Sequence, residues 1–472
     1  MKSWTLILRL AWLLAIPAIA APSNSSFSLT ILHDNDFHGQ LLPFAYTETA
    51  LSSNELPSVG GIARRATLIR SLRASLTNES LLLHGGDVFT RGPLTTTWLG
   101  EPDIEAMNAL GYQAASLGNN EFKAMDGVDA TNASGAQAAL LSLVKRSRFP
   151  WVCANAVDST GAFLQGVKPF VVLHVGGVHV GILGLTTQRS AYYPQTRGWT
   201  VGDPVAVAKQ WIPKAREACD VLLLLSHLGV SLDKSLAAST RGIDAIIGGD
   251  SHTFLYRGIE ITNEAGIGVP IVQAGEYGVR LGRFDLRFEK SGESPWRVAS
   301  WRSELLLVDD RLAEAADLNA LLAPYLAPFR KILGRLDSVE ATPAGRARQT
   351  QQFMMDGLRR SLGATFALAP DGGGLFDSFR SATITRYDVY AAMPFHNNGV
   401  TISMTAAEFE ALLAKVPKRV LSGDTNRIPR DRAFPVALVD YTAKSALRLP
   451  ADRLVDSGKD VRELVIGGFG KD

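Results

Sequence analysis

Cysteine is nearly missing: Cys153 and Cys219 are the only two in 472 residues. That excludes a fold stapled by several disulfides and leaves room for one bridge or for two separate thiols. A dominant charge is missing too. Lys and Arg number 48 against 46 Asp and Glu, a formal net charge of +2, so no long-range field singles out nucleic acid or an anionic membrane as partner. No internal repeat or low-complexity tract occurs, which sets aside solenoids and disordered arrays. Beyond the N-terminal segment no apolar run long enough to span a bilayer recurs, and Val465 to Asp472 lacks the hydrophobic tail of a lipid-anchor signal. What remains, at 46% hydrophobic and 20% charged residues, is a chain long enough for two cored globular domains.

Met1-Lys2-Ser3, the mostly apolar run Trp4 to Ala18 and the small residues Ala18 to Pro22 form a signal-peptide pattern, with cleavage expected after Ala20 or Ala21. Residues 1–21 are therefore expected to be a leader, and the mature protein to be secreted or periplasmic without a stable membrane anchor. An uncleaved anchor is the competing reading.

From Ser28 onward short apolar runs alternate with helical patterns. Strands are predicted at Leu29 to Leu32, Ser80 to Leu83, Pro169 to Val175, Val178 to Leu185, Val221 to Leu225 and Asp244 to Ile247, and helices around Ala63 to Leu76 and Glu101 to Leu110. That alternation argues an α/β layered domain, expected over residues 27–308. Asp310 to Leu336, rich in Ala and Leu, reads as a helix divided by Pro324 and Pro328 and is taken as the connection, residues 309–336. A smaller α/β domain, residues 337–472, then carries a helix around Thr350 to Leu362, a strand at Thr365 to Ala369, a turn at Asp371 to Gly374 and a helix at Thr405 to Lys415. Lys415 to Arg432 is basic and contains proline; it reads as a solvated loop, or as a segment that captures anions.

Polar clusters follow the apolar runs directly. Leu29 to Leu32 runs into His33-Asp34-Asn35-Asp36-Phe37-His38-Gly39, where Asp36 and His38, two apart at a strand end, offer a carboxylate and an imidazole to one divalent ion. Leu81-Leu82-Leu83 leads to His84-Gly85-Gly86-Asp87, a carboxylate placed to bridge two ions. Gly118-Asn119-Asn120-Glu121 adds neutral oxygen ligands, and two further runs end at His227 and at Gly249-Asp250-Ser251-His252. In open α/β sheets ligands bind beyond the carboxyl ends of the strands, where all five clusters fall.

These residues resemble the calcineurin-like metallophosphoesterases, specifically the 5′-nucleotidase family, from about Leu29 to about Leu413. The resemblance implies that Asp36, His38, Asp87 and His252 hold one ion and Asp87, Asn119, His227 and Asp250 a second, with Zn, Mn or Mg as the metal. It implies phosphate-ester hydrolysis by metal-activated water, without a covalent intermediate. In the second domain, the helix with Asp356, the strand Phe366 to Ala369, the Asp371-Gly372-Gly373-Gly374 turn and Met393-Pro394-Phe395-His396-Asn397 resemble the family's substrate domain. Asp371, Gly372, Gly373, Phe395 and Asn397 are the substrate-binding residues so implied.

The chain also departs from the pattern. The family's Gly-Asn-His-Glu-Phe-Asp becomes Gly118-Asn119-Asn120-Glu121-Phe122-Lys123, so Asn120 takes the place of a transition-state imidazole, able to donate a hydrogen bond but not to carry charge. Asp250 replaces a His, and Phe376 replaces an Arg that contacts phosphate, with Arg380 or Arg386 near enough in sequence to substitute. The aromatic Gly-Gly-Asp-Gly-Phe segment is not recognisable between Tyr441 and Leu464, which leaves Phe395 and Tyr441 as stacking partners for a base. The expected substrate is a small phosphate ester, nucleoside 5′-monophosphates first. The alternatives are a phosphodiesterase with changed substrate and a weakened or inactive relative that binds ligand and metal. Nothing in the pattern specifies an oligomeric state.

Overall fold

The computed structural model describes residues 24–47, 55–123, 132–371 and 373–469; the expected leader at residues 1–21 and Gly372 lie outside the described residues. Two sheets stack face to face. The first runs in the order Arg297–Leu307, Arg280–Ser291, Asn24–Asp34, Glu79–His84, Ala114–Ser116, Trp151–Val152, Val167–Lys168. The second runs Ile259–Thr262, Gly268–Val272, Ala245–Ile247, Val221–His227, Val178–Thr186, Phe170–Val175. At the centre of each, strands pair in parallel, Leu29 opposite Glu79 and Val180 opposite Val221.

Parallel strands are covered on both faces, which is why they read as continuous apolar runs rather than alternating ones. Successive side chains point to opposite faces: Leu223 and Leu225 meet Leu29, Ile31, Leu81 and Leu83 between the sheets, whereas Leu222 and Leu224 face Ala208, Ile212 and Leu236 outside. Helices Ile62–Ser75, Glu101–Leu110 and Ala133–Arg146 close the outer face of the first sheet. Pro204–Glu217 and Val230–Ala238 close the second. The loops that carry the candidate ligands therefore all leave the same edge.

A five-stranded sheet follows, ordered Arg419–Ser422, Phe366–Pro370, Phe434–Val439, Asn398–Met404, Leu454–Asp460. Helices Pro343–Ser361 and Val461–Gly468 pack on one face and Ala406–Lys415 on the other. The first of these starts at Pro343 rather than near Thr350, because the Thr342 hydroxyl accepts from the Gly345 amide at 3.1 Å and proline suits the first turn.

Two expectations change, and one left open is decided. Within Asp310 to Leu336 only Ala316–Leu326 is α-helix; Ala327–Arg330 tightens into a 3-10 turn and Ile332–Arg335 is a strand paired with Thr383–Thr385. Leu318 and Leu322 of that helix enter the first core, so it packs against the first layer. The basic segment from Lys415 holds the strand Arg419–Ser422, which buries Val420, with the Arg419 guanidinium donating to the Leu413 and Val416 carbonyls. Cys153 is buried and Cys219 half-buried, and both are free thiols. Among the described residues no helix is long and apolar enough to cross a membrane.

Candidate metal centre

Asp36, His38, Asp87, Asp250 and His252 all hold φ between 49° and 78°. Non-glycine residues avoid this left-handed region unless their surroundings enforce it, and such strain collects at working sites. The enforcement is visible. The Asp36 amide donates to the Gly86 carbonyl at 2.9 Å, His38 to Asp87 at 3.1 Å and Gly39 to Val88 at 2.9 Å, lacing the first two loops together. Gly86, at φ +90°, leaves no room for a side chain: a Cβ there would lie 2.7 Å from the His227 ring.

That ring is oriented from behind. His227 Nδ1 lies 2.7 Å from the Gly85 carbonyl, which makes Nδ1 the protonated nitrogen and presents Nε2 to the centre. Nε2 stands 3.4 Å from Asp87 Oδ1, 3.7 Å from Asp250 Oδ1 and 4.0 Å from Asp36 Oδ1. On the other side His252 Nε2 is 3.2 Å from Asp36 Oδ1 and 3.1 Å from His38 Nε2, while its Nδ1 is held by Glu276 at 2.5 Å. Asp87 turns Oδ2 toward His38 Nε2, at 3.9 Å, and Oδ1 toward His227. One carboxylate thus faces two imidazoles. Ligand atoms of Asp36, His38 and His252 lie within 4.8 Å of one another, and so do those of Asp36, Asp87 and His227.

The donors fit a divalent cation. Asp36 Oδ1 and His227 Nε2 are buried with no hydrogen-bond partner, and buried polar atoms are rarely left so without an ion or water to satisfy them. Burial would raise the Asp87 carboxyl, yet His227 and His38 hold it well below the usual carboxylate range. Burial likewise opposes charge on the histidines, but Asp87 and Asp36 push His227 well above its ordinary value. His252, despite its burial, is pushed up to about 10 by Asp36 and Glu276. The carboxylates call for positive charge at the point where the imidazole nitrogens converge. Hard oxygens with imidazoles suit Zn, Mn or Mg.

The other expected residues divide. The Asn119 carbonyl accepts from Arg189 at 3.2 Å, its amide donates to the Tyr193 hydroxyl at 3.2 Å, and Asp250 pairs with the same Arg189 nitrogen. Asn120 donates from its side chain to Asp87 Oδ2 and from its backbone to Asp87 Oδ1 at 2.7 Å. In the second domain Gly373, Phe395 and Asn397 come together with Tyr441 and Met354 around a cavity of about 410 Å³, whereas Asp371 lies outside its lining and pairs with Arg348. Arg380 is committed elsewhere. It donates to Glu55 at 2.7 Å, Arg346 also pairs with Glu55, and Arg386 is held by Glu463 at 2.6 Å. Phe376 packs edge-on against Tyr277 and beside Phe44, with centroids 5.2 and 6.4 Å apart.

Four residues at the centre escaped the sequence reading, Arg91, Arg189, Glu276 and Tyr277, and Glu121 was named there only as part of its cluster, without its role. Glu121 braces two loops, its Oε2 accepting from Gly118 and Asp87 amides at 2.6 and 2.9 Å and its Oε1 from Val88 and Phe89 at 2.8 and 3.3 Å. Arg91 and Arg189 were findable, since each lies just beyond a strand that ends at this edge. Glu276 and Tyr277 likewise lie just beyond a strand, Gly268–Val272, whose apolar run the sequence reading passed over.

Residues 29–254 match the family described as calcineurin-like phosphoesterase, and residues 333–460 the 5′-nucleotidase C-terminal domain. The chain is 27% identical over 460 residues to the trifunctional nucleotide phosphoesterase protein YfkN of Bacillus subtilis, covering 89% of this chain and 29% of that protein. It is 30% identical over 328 residues to 5′-nucleotidase of Homo sapiens, covering 65% of this chain and 54% of that protein. The chain thus spans about half the length, or less, of these curated relatives. The crystal structure of a 5′-nucleotidase precursor from Thermus thermophilus superposes with a TM-score of 0.67 at 26% identity, over 94% of this chain and 96% of that one.

Proposed function

The chain belongs to the calcineurin-like phosphoesterases that carry a 5′-nucleotidase C-terminal domain, and from that membership we propose that it hydrolyses phosphate esters, nucleoside 5′-monophosphates foremost. The observation that supports this most is the convergence of Asp36, His38, Asp87, His227, Asp250 and His252 from separate strand ends, with buried lone pairs facing one another. In this reading Asp36, His38, Asp87 and His252 hold one divalent ion and Asp87, Asn119, His227 and Asp250 a second. Such a pair supplies Lewis acidity toward a phosphoryl oxygen and lowers the pKa of water.

The protein's own groups do the rest. Glu121 fixes the Asp87 loop, and Gly85 and Glu276 orient the two imidazoles through their far nitrogens. Asn120 presents an amide beside Asp87 that donates to a phosphoryl oxygen as charge develops there. The cavity with Gly373, Phe395, Asn397 and Tyr441 receives the leaving alcohol, its two aromatics stacking on a base. We assign the phosphoesterase domain to residues 27–308, the connection to 309–336 and the substrate domain to 337–472. Residues 1–21 are assigned as an export leader, so the intact mass of secreted protein should place its N-terminus at Ala21 or Pro22.

The deciding experiment is phosphate release from a panel of nucleotides with Mn²⁺, Mg²⁺ or Zn²⁺ added. Release from monophosphates above the metal-free control supports the proposal. Asn120 and Phe376, neither of which carries charge, favour a second reading as a weakened or inactive ligand-binding relative. Metal-loaded protein that releases no phosphate from any ester would select it.

A further inference from the structure

We propose that Arg91, Lys123 and Arg189 together bind the substrate's phosphoryl group and make the site selective for dianionic phosphate monoesters over monoanionic diesters. The inference rests on the phosphate-ester reading of this centre. Its footing is the arrangement of three cations, on three loops of the first domain, around the mouth of the carboxylate cluster.

Arg91 stands on the His38 side. It occupies the turn after Asp87 at φ 76°, and its Nη1 donates to the Tyr277 hydroxyl at 2.5 Å. The Tyr277 ring lies 5.5 Å from that of His38. Arg189 stands on the His227 side, where one nitrogen serves both Asn119 and Asp250. With 59% of its side chain exposed, Arg189 keeps its Nε and other Nη donors for the solvent side. Lys123 lies near enough to feel both, its ammonium 5.0 Å from the Tyr193 ring, whose hydroxyl accepts from Asn119. Burial lowers the Lys123 ammonium, and it feels Asp87, Arg91, Arg189 and Glu121 together. Among the described residues neither Arg91 nor Lys123 has a carboxylate within ion-pairing distance.

Arg91 and Arg189 each oppose the charge on Lys123, and Asp87 and Glu121 offset this only from beyond ion-pairing distance. An anion at the mouth removes the conflict. A phosphoryl group spreads charge over three oxygens, and two guanidinium forks with one ammonium offer directed donors from opposite sides. A monoester brings two negative charges to this ring and a diester one. In the second domain Arg346, Arg380 and Arg386 are already tied to Glu55 and Glu463.

The test uses the full metal-loaded protein with inorganic phosphate as the probe, titrated calorimetrically, alongside hydrolysis of p-nitrophenyl phosphate and bis(p-nitrophenyl) phosphate. Arg91→Gln, Lys123→Met and Arg189→Gln are each expected to weaken inorganic phosphate by roughly ten- to a hundredfold, with metal content and Tm unchanged. kcat/KM for the monoester should fall further than for the diester, and Arg189→Lys should recover part of the loss. Arg189→Gln also frees Asp250, so if that variant loses metal the other two decide. Folded, metal-loaded variants that bind phosphate as the parent does would overturn the inference and leave the phosphoesterase reading standing. A metal-loaded parent that neither binds phosphate nor hydrolyses either ester would remove both.

Discussion

Glu121 is the residue on which the metal loops should depend most, and the expected cost of changing it can be worked from its contacts. Its Oε2 takes the Gly118 and Asp87 amides at 2.6 and 2.9 Å, and its Oε1 takes Val88 and Phe89 at 2.8 and 3.3 Å. Glu121→Gln keeps the shape but turns one oxygen into an NH₂ donor. Whichever way the amide flips, two backbone N–H groups then face a donor. An orphaned buried donor costs about 1–3 kcal/mol, so the variant should lose about 2–6 kcal/mol. Against a whole stability of about 5–15 kcal/mol that is a large fraction. Because the amides concerned frame Asp87, metal should be lost at a lower urea concentration than global unfolding. Urea titration followed by tryptophan fluorescence, with metal content measured across the same series, reads both quantities. A variant within about 1 kcal/mol of the parent, with its full metal complement, would refute the bracing role.

Asp87→Ala should strip metal from both groups of ligands together, since one carboxylate faces His38 and His227; elemental analysis showing a full complement would defeat the bridging assignment. Asn120→Ala should lower kcat by about 10²–10³-fold with little change in KM, the usual loss for a transition-state donor, provided metal content stays at the parent's level. Asp103 offers a pH test remote from substrate. Burial pushes its carboxyl up to about 7 against the bond from Thr95, so the folded state holds a proton that the unfolded chain releases near pH 4. Stability from this group is full below that pH and is lost as pH rises to about 7, by about 4 kcal/mol. Asp103→Asn should flatten that part of the stability profile, and an unchanged slope between pH 4 and 7 would count against it.

How much of this was legible in the sequence follows from which forces are local. Val221 to Leu225 and Leu81 to Leu83 announce themselves because a parallel strand between two covering layers has no polar face to show. Thr405 announces the helix Ala406–Lys415 through its capping box with Glu408. The connection after Asp310 misled because Ala and Leu suit a helix by propensity alone, whereas Ile332–Arg335 is a strand through its partner Thr383–Thr385, some fifty positions on. Nothing local encodes that partner.

The same division runs through the site. Asp36, His38, Asp87, His227, Asp250 and His252 could be named because they lie at or just beyond the ends of four strands, which the topology brings to one edge. Arg91 and Arg189 could be placed at that edge in the same way but not given a role, since an arginine's role depends on which carboxylates the fold leaves for it. Phe376 shows the consequence. Read alone, its replacement of a guanidinium looks like a lost phosphate contact with Arg380 as understudy, but Arg380 is drawn to Glu55, 325 positions away, and Phe376 fills an aromatic seam with Tyr277 and Phe44. Tyr277 in turn holds Arg91. Where the family resemblance implies a polar contact with substrate, Phe376 instead packs against Phe44 and against Tyr277, the tyrosine to which Arg91 donates.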